Sequence, residues 1–218
     1  MSASVKLSAG MCFTLILLLF VTHAQAQLSQ NAPASASGGL AVQQDNTEHL
    51  FTKCSWDTAL SFGGAAGVQM LGTSLRHDFV LGTFDVGRII SDTQGAGHWY
   101  EGNWEVLGEL FGGYQLNPGR ATVVGLTPFI RYNFVTHSRW VPFVEAGAGV
   151  TYTDIGRPDQ RTSFEFNLQP GIGLHYFMCR DLAVTLQSRV LHLSNAGIET
   201  PNLGVNTVAF LLGLTWFH

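Results

Sequence analysis

From Trp56 onward the chain alternates apolar and polar or small residues with a period of two, in eight successive segments. The segments fall at 56–68, 77–90, 103–116, 122–134, 140–153, 163–178, 182–195 and 206–217. Successive side chains of a β-strand point to opposite faces, so a sustained period of two makes one apolar face and one polar face. In 164–176 the even positions are Phe164, Phe166, Leu168, Pro170, Ile172, Leu174 and Tyr176. The odd positions are Glu165, Asn167, Gln169, Gly171, Gly173 and His175. Val144, Ala146, Ala148, Val150 and Tyr152 oppose Glu145, Gly147, Gly149 and Thr151 in the same way, and Val208, Phe210, Leu212, Leu214 and Trp216 share a face. Turn-forming stretches separate the segments: Gln115–Gly119, Thr136–Arg139, Ile155–Asp159 and Met178–Asp181.

Two architectures bury such a pattern. A soluble sandwich turns the apolar face inward, and a membrane barrel turns it outward to lipid. Three features favour the barrel. The segments reach the 9–11 residues that a tilted strand needs to cross a bilayer. Charge is sparse, 12% of residues against 46% hydrophobic, with 25 glycines, which suits a crowded interior better than open water. The final segment ends in Trp216-Phe217-His218, which resembles the aromatic C-terminal signal of outer-membrane barrels. The expected fold is therefore all-β, an eight-stranded antiparallel transmembrane β-barrel of the outer membrane. An interior of that size is just wide enough for side chains to fill, so a porin is disfavoured. Glu105, Glu109, Glu145, Glu165, Arg131 and Arg189, with Gln169 and Gln187, are expected to fill it by mutual ion pairing and hydrogen bonding.

The barrel is expected over 51–218. Residues 1–26 read as a signal peptide, with Lys6, an apolar run at Met11–Val21 and an Ala24-Gln25-Ala26 cleavage site leaving Gln27 first. That run is too short for the roughly 20 residues of a spanning helix. Residues 27–50, rich in Ala, Ser, Gln and Asn, read as a mobile periplasmic tail. The chain's net charge of −4 becomes more negative once Lys6 is removed, which argues against a nucleic-acid partner. Cys12 leaves with the signal. Cys54 and Cys179 fall at one end of the barrel, and a disulfide between them is left open. The remaining histidines lack metal-ligand spacing, and neither a metal nor another cofactor is expected.

Segment 182–195 places Leu182, Val184, Leu186, Ser188 and Val190 on the face that also carries His192 and Ser194, opposite Thr185, Gln187 and Arg189. The histidine and serine therefore face outward at the end of a transmembrane strand, where an ionisable group is costly and suggests function. Strand parity, with both chain termini periplasmic and eight strands, puts them at the extracellular side, at headgroup depth. The stretch His192-Leu193-Ser194-Asn195-Ala196-Gly197-Ile198-Glu199-Thr200-Pro201-Asn202-Leu203-Gly204-Val205-Asn206 resembles the lipid A 3-O-deacylases (PagL type, often labelled acyloxyacyl hydrolases). Gly87-Arg88-Ile89-Ile90-Ser91-Asp92 resembles a stretch of related barrels less specifically.

The resemblance implies an outer-membrane esterase acting on lipid A, or lipopolysaccharide, of the outer leaflet. Ser194 would be the nucleophile and His192 the general base, with Asn195 and backbone N–H groups near Ala196 and Gly197 stabilising the oxyanion. A serine hydroxyl needs such a base, and each oxyanion donor can be worth about 10²–10³ in rate. The family's third member, an acid that orients the histidine, should stand fourteen residues after it, where this chain has Asn206. In a hairpin centred on Glu199, Asn206 would lie opposite His192, and its oxygen could set the ring tautomer without supplying charge. Glu199 could instead substitute as the acid, or the barrel could be non-catalytic and serve structure or envelope interaction. A homodimer is also left open. Pro201-Asn202-x-Gly204 reads mainly as turn chemistry. Trp99, Tyr100, Trp104, Trp140 and Tyr152 read as interfacial girdle residues more than as an acyl-chain grip. The connection around Ser91–Gly102 should be a short periplasmic turn, yet it spans about a dozen residues. Either the turn is unusually long or the second strand extends beyond the segment given for it.

Overall fold

The sheet is inside out relative to a soluble protein. Leu126, Ile172, Phe210 and Leu212 point outward and are 57% to 63% exposed, while Glu105, Glu109, Thr127 and Asn133 are fully buried. Only an apolar surround makes that arrangement favourable, because lipid accepts the apolar face and closure of the sheet lets neighbouring strands pair all the way round. The structure is a computed structural model that describes residues 51–69 and 75–218. The signal-peptide and tail readings lie outside the described residues.

Eight antiparallel strands close into a barrel in chain order. They are β1 (Trp56–Gly67), β2 (Asp78–Ile89), β3 (Gly102–Asn117), β4 (Ala121–Phe134), β5 (Trp140–Thr153), β6 (Phe164–Phe177), β7 (Leu182–Ser194) and β8 (Val205–Phe217). Every expected segment agrees with its strand to within one residue at each end. β1 closes against β8 in a continuous register from Asp57↔Phe217 to Gly67↔Thr207, which leaves no free sheet edge.

The interior is layered along the barrel axis. At the near end, where β1 begins and β8 ends, Phe51, Ile89, Val135, Val141, Phe177, Ala183 and Phe217 form an apolar plug. Phe51 packs edge-on to Phe177 and tilted against Phe217, and the Asn103 amide donates to its carbonyl at 2.7 Å. The charged layer follows. Arg131 pairs with Glu105 at 3.3 Å and Glu145 at 2.8 Å, and Arg189 pairs with Glu109 at 2.6 Å and approaches Glu145 at 3.8 Å. The guanidinium groups of Arg131 and Arg189 also lie over the rings of Phe143 and Phe129. Gln169 donates to Thr127 and Gln187 accepts from Arg189. The ion-paired lumen expected from the sequence is thus present for Glu105, Glu109, Glu145, Arg131 and Arg189, whereas Glu165 accepts from Thr162 and pairs with no cation among the described residues. Asp57 and Asp85, which the sequence reading did not include, are buried in the same lumen with no hydrogen-bond partner among the described residues. Beyond it, at the far end, lies a second apolar cluster that includes Phe79, Phe111, Leu191, Leu193, Val205 and Leu211.

The connection after β2 is long, and β2 ends where expected. Residues 90–101 form an ordered excursion, stapled by a Gln94↔Gly102 bridge and by Tyr132 Oη donating to the Tyr100 carbonyl at 2.6 Å. Gln115 and Leu116, read as turn, still belong to β3. The side chain of Gln115 is held inside by His77 and by the Gly119 carbonyl, which prolongs the pairing. Cys54 and Cys179 stand as exposed thiols not joined by a disulfide. Trp99, Tyr100, Trp104 and Trp140 all lie at the near end.

Candidate active site in the β7–β8 hairpin

At the far end, β7 and β8 are joined by residues 195–204, and the register sets His192 directly opposite Asn206. Leu191 and Leu193 point inward and are buried in the far-end apolar cluster. The period of two therefore turns His192 and Ser194 outward, where both are half-buried. Anchoring the alternate side chains in a packed core fixes the direction of the two polar ones.

The His192 ring meets Asn206 through Nδ1 and Oδ1 at 2.7 Å. An amide oxygen can only accept, so Nδ1 donates in this bond, which in a neutral ring leaves the lone pair on Nε2. Asn206 is itself buried, and its carbonyl accepts from the Val68 N–H at 2.9 Å, which ties the position to β1. Gly204 lies beneath the ring with φ of 74°, and a Cβ there would come within 3.2 Å of His192 Cε1. A left-handed backbone and close ring contact both call for glycine at this position.

Ser194 Oγ lies 3.1 Å from Asn202 Nδ2, which donates to it, and also accepts the Ala196 N–H at 3.2 Å. Asn202 Oδ1 accepts the Asn195 N–H at 3.3 Å and lies 3.4 Å from Ser194 Oγ. Among the described residues no hydrogen bond joins the His192 ring to Ser194. Asn195 has its side chain committed to the turn, donating to the Glu199 carbonyl at 3.0 Å and accepting the Gly197 N–H at 2.9 Å. Ala196 and Gly197 take φ of 56° and 80°. Open space surrounds the Cβ position of Gly197, so its backbone twist, and not a close approach, calls for glycine. The Glu199 carboxylate turns away to Arg161, 3.1 Å distant.

The hairpin thus brings together His192, Asn206, Ser194 and Asn202. It does not bring the Asn195 amide to Ser194 or the Glu199 carboxylate to His192. Asn202, read as turn chemistry, is the amide that faces the serine; the signal lay in its place across the hairpin from Ser194. Of the aromatic candidates, only Tyr152 lies at this end of the barrel. The other four are a strand length away, roughly 40 Å at about 3.3 Å per residue.

A family model for "Lipid A 3-O-deacylase (PagL)" matches residues 83–215. The chain belongs to the PagL family. The match takes in β7, the 195–204 connection and β8 as far as Thr215, and leaves out β1 and His77. The fold is similar to the crystal structure of the outer membrane enzyme PagL, at a TM-score of 0.54 and 19% identity, covering 72% of this chain and 97% of that one. It is equally similar to Neisserial surface protein A (NspA), with TM-score 0.54 and 13% identity over 74% of this chain and 96% of that one. No curated protein matches the chain. This PagL-family chain is a bacterial outer-membrane β-barrel of lipid A deacylase type.

Proposed function

We propose that the protein is a serine esterase that hydrolyses the 3-O-acyl ester of lipid A in the outer leaflet, at the extracellular mouth of the barrel. The observation that carries this reading is the His192–Asn206 hydrogen bond, with Ser194 two residues along on the same outward face. A structural barrel gains nothing from a half-buried histidine whose tautomer is set for proton abstraction.

In the proposed reaction Ser194 Oγ leaves Asn202, turns to His192 and attacks the ester carbonyl. Nε2 accepts the hydroxyl proton as the new C–O bond forms. The negative charge then develops on the carbonyl oxygen, and the freed Asn202 Nδ2 donates to it, joined by the Ala196 N–H. Collapse breaks the ester bond, and the imidazolium returns its proton to the departing sugar hydroxyl. Water, activated by the same ring, hydrolyses the acyl-serine and releases the hydroxyacyl chain as a fatty acid. None of these steps needs a cofactor. The outward Phe164 and Phe166, exposed at the far end of β6, lie beside Ser194 in the register and offer an apolar track for the acyl chain.

One observation favours a second reading, a non-catalytic envelope barrel: Ser194 is engaged by Asn202 and not by His192, and Asn206 occupies the position of the acid. Mass spectrometry of lipid A from outer membranes carrying the wild type or Ser194→Ala separates the two. The esterase reading expects loss of a single hydroxyacyl chain with the wild type only. Identical lipid A from both would establish the non-catalytic barrel.

A further inference from the structure

The hairpin that carries Ser194 is held by a second loop. The connection between β5 and β6, residues 154–163, folds inward so that Asp159 and Gln160 are buried at the far end. The Gln160 side-chain amide donates to the carbonyl of Leu193, the residue before Ser194, at 3.2 Å. The backbones of Gln160 and Asn202 pair as an antiparallel bridge, and the Leu203 N–H donates to the Asp159 carbonyl at 3.0 Å. Two consecutive residues of one loop thus grip the hairpin on both sides, next to the serine and next to the amide that faces it.

That loop is anchored in turn. Asp159 Oδ2 lies 3.3 Å from His77 Nε2, and both side chains are buried. The other ring nitrogen, Nδ1, lies 2.8 Å from Gln115 Oε1 on β3, and the ring stacks on Phe79. Gln160 N–H closes the loop on the Gly156 carbonyl at 2.9 Å. A chain of contacts therefore runs from β3 through His77, whose Nε2 approaches Asp159 without a hydrogen bond, and through Gln160 to Leu193 and Asn202.

We propose that Gln160, anchored through the His77–Asp159 pair, is a positioning residue of the esterase site. It sets the separation between the Ser194 hydroxyl and the Asn202 amide without touching substrate. The inference rests on the esterase reading above. Reaction geometry is steep in distance, and a displacement of about 1 Å can cost about 10²-fold in rate. Buried backbone bonds at both flanks are suited to preventing one. The grip is on the catalytic groups and not on the lipid, so its loss should lower kcat and leave KM nearly unchanged.

The test uses the full-length barrel in lipid A-containing vesicles, with kcat and KM measured for the wild type, Gln160→Ala and the isosteric Gln160→Glu. The Glu variant replaces the amide donor with an oxygen facing the Leu193 carbonyl. Heat-modifiable gel mobility checks that each barrel has closed. Both variants should lose about 10- to 100-fold in kcat with KM within about twofold. In an Asn202→Ala background the further loss should shrink below threefold, because residues acting through one another are not additive. A closed Gln160→Glu barrel with wild-type kcat overturns the proposal, as do losses that multiply independently of Asn202. Should Gln160→Ala fail to close, Gln160→Glu and His77→Gln carry the same comparison. An inactive wild type would overturn the esterase reading and this one with it; an active wild type with unaffected variants overturns this one alone.

Discussion

His192 and Asn206 face each other across the β7–β8 pair, joined Nδ1 to Oδ1 at 2.7 Å. The amide supplies the acceptor that sets the tautomer, but it carries no charge to stabilise the imidazolium formed during attack. In a serine-protease triad, exchanging the orienting carboxylate for an amide lowers kcat about 10⁴-fold. Asn206→Glu should therefore raise kcat by about tenfold or more, and Asn206→Leu, which removes the acceptor, should lower it. Steady-state rates on purified lipid A decide the matter. A fall with Glu together with no change for Leu would remove Asn206 from the site.

The fold was legible because lipid leaves a strand only two kinds of neighbour. Alternation such as Phe164-Glu165-Phe166-Asn167 has one consistent solution when repeated eight times, and the strand ends follow the turn residues. The His192–Asn206 pairing was legible too, since hairpin register follows from strand parity and loop length. What could not be read were contacts made by loops distant in sequence. Gln160 reaches Leu193 across 33 residues and His77 reaches Asp159 across the barrel mouth, and no local pattern encodes either. Asn202 was hidden for a different reason: Pro-Asn-x-Gly explains itself as a turn. Asn195 looked available for an oxyanion until its amide was found holding the turn together. Asp57 and Asp85 escaped because the inner faces of their strands are not uniformly polar: Asp57 lies with Ala59, Ser61 and Ala65, and Asp85 with Phe79, Leu81 and Ile89.

Asn202 makes a sharper prediction than Asn195. Its Nδ2 reaches Ser194 Oγ, so Asn202→Ala should cost about 10²–10³ in kcat, the range for a single oxyanion donor. Asn202→Asp keeps the acceptor that holds the Asn195 N–H while replacing the donor, and should be nearly as impaired. An active Asn202→Asp variant would show that the side chain matters for the turn and not for the oxyanion. Comparing acyl release by the three proteins separates these roles.

Gly204 links backbone conformation to the base. A side chain at φ of 74° costs on the order of 1–2 kcal/mol, and its Cβ would press on the His192 ring at 3.2 Å. Gly204→Ala should leave the barrel closed, because the position lies outside the strands, yet reduce kcat by about tenfold as the ring shifts. Loss of activity with only a small fall in urea resistance, matching about 1–2 kcal/mol, is the expected pair of results.

The long near-end connection should be sensitive to acid. Glu101 accepts the Gly97 N–H at 2.7 Å and pairs with His137 at 3.1 Å, and the Gly97 bond, with help from His137, holds its carboxyl below the usual carboxylate range. A group whose pKa is lower in the folded loop stabilises it above the unfolded value and stops doing so as pH falls through the folded one. Residues 90–101 should therefore exchange amide hydrogens slowly near neutrality and open as the pH drops through and below the usual carboxylate range. Glu101→Gln should remove most of that pH dependence. Hydrogen exchange read on this segment alone provides the check.

Arg131 should dominate the stability of the lumen. It is buried between Glu105 and Glu145 and lies over Phe143 at 4.3 Å. Removing one partner of a buried pair leaves the remaining charge uncompensated, at about 3–5 kcal/mol. Here two carboxylates would lose their shared cation, and Arg189 already serves Glu109. Arg131→Met should thus lower the urea unfolding midpoint of the barrel markedly. Adding Glu105→Gln and Glu145→Gln to that variant should recover much of the loss, because the triple change removes both carboxylates that Arg131 had paired. If the triple variant is as unstable as Arg131→Met, the contribution of Arg131 is packing against Phe143 and not charge. The hairpin that carries His192 and Ser194 sits at the far end, beyond the apolar cluster of Leu191 and Leu193. Folded Arg131→Met barrels should therefore keep their kcat, and only the denaturant midpoint should move.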